Sequence, residues 1–167
     1  MNTPAFIQYL HDTGLGAAMR GDGAGTEWLF PIVETLHVFS LATVFGSIFM
    51  VDLRLLGLTA RDSAVSRLSN EVLPWTWVSF GCAVITGSVL SMGKIDTYWS
   101  NQHFRLKFLC MALAGVNMLI FHFGVYRRVA EWDRVLPAPL AARAAGLLSI
   151  GLWTGVIFFG RWIGWDT

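Results

Sequence analysis

Four long apolar stretches, each ended by polar or turn-forming residues, set the pattern of this chain. They cover residues 29–56, 73–92, 104–126 and 141–165. A hydrocarbon core of about 30 Å requires about 20 mostly apolar helical residues, and each stretch reaches that length. No period-two alternation marks a strand, and open sheet edges are not tolerated in lipid. The predicted class is therefore all-α: a polytopic membrane protein whose four transmembrane helices form a bundle. Between the stretches lie "TARDSAVSRLSNE", "SMGKIDTYWSNQ" and "RRVAEWDRVLPAP", rich in charge and turn residues. Pro74 suits the first turn of the second span.

Residues 1–28 form a separate piece. "TPAFIQYLHDTG" predicts a short amphipathic segment on the membrane surface, with a solvated His11, followed by a flexible linker "RGDGAGT". Trp28, Trp75, Trp77, Trp99, Trp162 and Trp165 fall near predicted span ends, where an interfacial aromatic belt places them; Trp153 lies mid-span.

Composition agrees with the pattern. The 167 residues are 54% hydrophobic and 14% charged, with a mean hydropathy of +0.55. A net charge of +1 gives no basis for nucleic-acid binding. Cys82 and Cys110 stand in apolar runs without a CxxC or CxxCH motif, so neither a zinc knuckle nor covalent haem is expected. Arg54, Arg61, Arg67, Arg127, Arg128, Arg134 and Arg143 gather at the 1–2 and 3–4 connections; Arg20, Lys94, Arg105, Lys107 and Arg161 are at the other side. The positive-inside rule then puts those connections in the cytoplasm, with both termini outside.

Small residues at four-residue spacing allow close helix approach: Gly151–Gly155 and Gly160–Gly164 in span four, and Ala83, Gly87 and Ser91 in span two. They predict a tight bundle, with a homodimer through span four as the alternative. Candidate chemistry lies in the polar positions. On a helical wheel Glu34, His37, Leu41, Val44, Ile48 and Asp52 share one stripe of span one, and Lys107, Met111, Gly115, Met118 and His122 share one of span three. Ionisable groups within a span are costly and mark pairing or function. By depth, Glu34 is expected to pair with Arg161, and Asp52 to orient His122. Asn117 is expected to hydrogen-bond between helices. At 1.5 Å per residue, His37 is about 12 Å from the outer surface and His122 about 27 Å, so one haem clamped by both is disfavoured. His37 with His103 is the better-matched outer pair.

"VETLHVFSLATVFGSIFMVDLRLLGL", "LPWTWVSFGCAVITGSVLSM", "NQHFRLKFLCMALAGVNMLIFH" and "GRWIGW" together resemble an uncharacterised group of small four-span bacterial inner-membrane proteins. "LHVFSLATVFGS" is more distantly similar to the first span of copper-resistance D-type membrane proteins, which implies a metal or haem site at His37. The resemblance marks Glu34, His37, Asp52, Arg54, Lys107, Asn117, His122 and Arg161 as the group's polar positions, whereas His103 stands where relatives are expected to carry a small residue or proline.

Three functions fit these features. The first is a b-type haem electron-transfer protein with His37, His122 or both as axial ligands, Lys107 and Arg161 near the propionates, and a redox partner. The second is a non-catalytic anchor or assembly subunit of a larger membrane complex. The third is copper handling through His37, Met92, Met111 and Met118. Nothing predicts a stand-alone catalytic activity.

Overall fold

The computed structural model describes residues 4–135 and 137–165. It is all-helical, and no strand occurs among the described residues. Four helices are long and apolar enough to cross a membrane: α3 (Leu29–Leu55), α4 (Val65–Met92), the run Gln102–Trp132 that begins with α6 (Gln102–Ile120), and α8 (Leu140–Ile163). The chain is a multi-pass membrane protein. Two short helices, α1 (Ala5–His11) and α2 (Gly14–Arg20), precede the spans; α5 (Ile95–Ser100) links α4 to α6, and α7 (Val129–Trp132) leads toward α8.

The helices pack in the order α4, α3, α8, α6, with α3 and α8 in the middle. Small residues make these contacts possible. A Cβ on Gly146 of α8 would stand 3.3 Å from the Asp52 carbonyl oxygen, and one on Gly155 would stand 3.1 Å from Cys110 Sγ of α6. Gly87 of α4 faces His37, whereas Gly151 looks into open space. Much of the small-residue pattern is thus used inside the bundle. Hydrogen bonds join the same helices: Ser47 with Thr76 at 2.7 Å, and Asn117 Nδ2 donating to the Ala145 carbonyl at 3.0 Å. The second is the interhelical bond expected of Asn117.

Three local differences from the sequence reading have physical causes. α4 begins at Val65, not near residue 73, so Pro74 is inside the helix rather than in its first turn. At 28 residues α4 is about 42 Å long. Its polar beginning is the surplus over a hydrocarbon thickness of about 30 Å, which is why a hydropathy reading misses it. The stretch expected as one amphipathic segment and a linker contains two helices. Thr13 caps α2 by accepting from the Gly16 amide, Gly21 ends it at φ 77°, and Met19 is buried against Gly93. Finally, α6 passes into a π turn (Phe121–Val125) and a 3-10 turn (Tyr126–Arg128).

At the end that carries the α3–α4 and α6–α8 connections, Leu55, Val65, Trp132, Ala138 and Ala142 form a buried apolar cluster. Arg54 is fully buried beside it; its Nε donates to the Ser63 carbonyl at 2.8 Å and its Nη2 to the Asp133 carbonyl at 3.4 Å. The Asp133 carboxylate accepts from the Ser66 amide and hydroxyl at 2.8 and 2.6 Å. Burial pushes the Asp133 carboxyl up, but those Ser66 bonds and the Arg134 charge outweigh it and hold it below the usual carboxylate range.

Candidate functional site

The best-formed polar site in the spans centres on His37. It is two turns into α3, about 12 Å along the helix from Leu29. Half-buried, its ring faces α4, where Thr86 Oγ1 is 3.0 Å from Nδ1. Thr86 has one hydroxyl hydrogen, and its 2.7 Å contact with the Cys82 carbonyl uses it, because a carbonyl can only accept. Thr86 Oγ1 is thus placed to accept from His37 Nδ1–H, and the Ala83 backbone carbonyl of α4 is a further hydrogen-bond partner of the ring. The absent side chain of Gly87 makes room for the ring: a Cβ there would stand 2.9 Å from Cε1.

Lys107 of α6 supplies charge to this region. Its side chain runs along Gly160 of α8, where a Cβ would lie 3.8 Å from Nζ. The ammonium is near enough to act electrostatically on the His37 ring. Glu34, one turn before His37, is exposed and acts instead on Tyr98 of α5. Burial first, and then the Glu34 charge, raise the Tyr98 phenol above its ordinary value.

The other positions singled out from sequence separate from this site. His122 is exposed, in the π turn, and stacks on Tyr126 with ring centroids 5.2 Å apart. It does not meet Asp52, which is buried against α8 with the Ser149 hydroxyl beside it. His103 packs among the α8 aromatics, 6.1 Å from Phe159 and 6.2 Å from Trp162 between centroids. Arg161 is exposed, as is Glu34, and no ion pair joins these two groups that depth alone matched. The inward face of α6 runs through His103, Lys107, Cys110, Ala114, Asn117 and Phe121, so Met118 and His122 fall outside it. Among the described residues no group of three or more His, Cys, Asp or Glu could hold a metal ion.

Sequence reasoning picked out His37 and Lys107 but missed Thr86, whose partnership with His37 spans 49 positions. Its signal was local: Thr86 precedes Gly87 in the small-residue stripe of α4.

A comparison with curated proteins gives no match, nor does one with solved structures. The family of unknown function DUF6644 matches residues 23–166, which spans all four long helices and the His37 site. The chain belongs to that family.

Proposed function

We propose that this membrane protein binds a b-type haem with His37 as the axial ligand supplied by the chain, and passes electrons to a redox partner. The observation that carries this reading is the hold of α4 on one ring nitrogen of His37. Nδ1 stands 3.0 Å from the Thr86 hydroxyl, an arrangement that favours the proton on Nδ1 and a lone pair on Nε2. A ligating imidazole is ordinarily oriented in this way, by a hydrogen bond from its other nitrogen. Lys107 provides a cation for a propionate, and Gly87 lets the ring seat closely against α4. The haem would supply one-electron chemistry; the chain would orient the ligand and balance charge. His122 is outside this arrangement. The arginine excess at the connections supports an orientation with both termini outside, which in the bacterial inner membrane is the periplasm.

Detergent-purified protein tests the proposal by its reduced-minus-oxidised absorption spectrum after haemin is supplied. A Soret band that moves on dithionite reduction, is lost in His37→Ala and persists in His122→Ala is the expected result. A colourless wild-type protein, or a band equally strong in His37→Ala, overturns the reading and favours an anchor or assembly subunit.

A further inference from the structure

Asp52 stands apart from the His37 site and has no role in the haem reading. Fifteen residues separate it from His37 along α3, a rise of about 22 Å. It is one turn from the end of α3, only 6% exposed, on a face packed against Gly146 of α8. Its Oδ2 is buried and has no hydrogen-bond partner. The Ser149 hydroxyl of α8 is the polar side chain beside the carboxyl.

Among the described residues no charged side chain forms an ion pair with Asp52. On its own helix, Arg54 directs Nε and Nη2 to the carbonyls of Ser63 and Asp133, its Nη1 is buried without a partner, and it forms no ion pair with Asp52. On α8, Arg143 is exposed, one turn before Gly146. On α4, Arg67 and Glu71 are exposed and paired with each other at 2.9 Å. An isolated carboxylate removed from water is strongly disfavoured, and such a group neutralises instead of remaining charged. A neutral acid also gains a donor, its own O–H.

We infer that Asp52 is a buried proton-binding site, a carboxylic acid held neutral between α3 and α8. The ligand is the proton itself, and the neighbouring Ser149 hydroxyl is suited to hydrogen-bond the acid. The site would exist in a protein that binds no haem, so it stands independently of the proposed function.

Infrared difference spectroscopy of the full-length protein in lipid tests the assignment. Near neutral pH, where an exposed aspartate is ionised, the expected result is a protonated-carboxyl C=O band that shifts in deuterium oxide. The band should move when wild-type protein is labelled with carbon-13 at the aspartate carboxyl, a readout that needs no variant. It should vanish in Asp52→Asn, whose neutral amide is expected to leave the fold intact, and remain in Glu34→Gln. Absence of a label-sensitive band, or its survival in Asp52→Asn, overturns the inference. Loss of the band on adding sodium ions at constant pH would also overturn it, since the site would then take a cation in place of the proton.

Discussion

Replacing Gly87 by alanine probes the contact that seats His37. The new Cβ would stand 2.9 Å from Cε1, 3.4 Å from Nδ1 and 3.7 Å from Nε2. Carbon atoms in comfortable contact are about 3.5–4.0 Å apart, so the ring must retreat from α4 by about 0.6 to 1.1 Å. That movement is directed away from Thr86 and stretches the 3.0 Å bond to Nδ1 beyond useful length. Losing the bond costs about 0.5–1.5 kcal/mol, and crowding the α3–α4 contact costs about 1–3 kcal/mol. The expected total is about 1.5–4.5 kcal/mol, read as a lowered unfolding midpoint in mixed detergent micelles. The attribution to His37 is checked by a double-mutant cycle. In a His37→Ala background the added methyl group meets no ring, and most of the penalty should disappear. An equal penalty in both backgrounds would refute the packing argument, whatever its size.

Three further outcomes are expected. Arg54→Met should lose about 2–4 kcal/mol, because a buried side chain that holds two connections through the Ser63 and Asp133 carbonyls is replaced by one that donates nothing; equal chemical stability would contradict that role. Asp133, with its carboxyl held low in the folded state, should contribute stability that is present above its unfolded value of about 4 and lost as pH falls through the folded one. Protection of the Ser66 amide, taken as the ratio of intrinsic to observed exchange rate, should therefore fall in acid in the wild type and show a flatter pH profile in Asp133→Asn. Glu34→Gln should lower the ionisation midpoint of Tyr98, followed by ultraviolet titration against Tyr98→Phe, since it removes one of the two causes that raise it; an unmoved midpoint would separate the two groups.

The spans were legible because lipid demands long apolar helices, and that requirement is written locally in the sequence. Their lengths were less so. The start of α4 alternates exposed Arg67 and Glu71 with buried Leu68 and Ser69, which reads as a polar connection until it is seen as helix beyond the hydrocarbon. In the site, His37 was legible as an imidazole on the inward side of the first span, along with Val44 and Asp52. His122 was misjudged because the wheel stripe was anchored on methionines, whereas the face of α6 that meets α8 is set by Cys110, Ala114 and Asn117. The π turn that carries His122 has no comparable sequence mark. Pairing Glu34 with Arg161 failed for a related reason: equal depth does not fix the separation of two helices. Thr86 belongs to a different span from His37, and only packing reveals which residues of two helices face each other.

The state of the His37 ring is the most direct test of the account. Nitrogen-15 spectra of histidine-labelled protein in lipid, with His37→Gln used for assignment, report which ring nitrogen carries the proton. The account predicts a proton on Nδ1 and a bare Nε2 in the cofactor-free protein, with the Nε2 signal lost or strongly shifted when haemin is added. A proton on Nε2, or a ring indifferent to haemin, would contradict it.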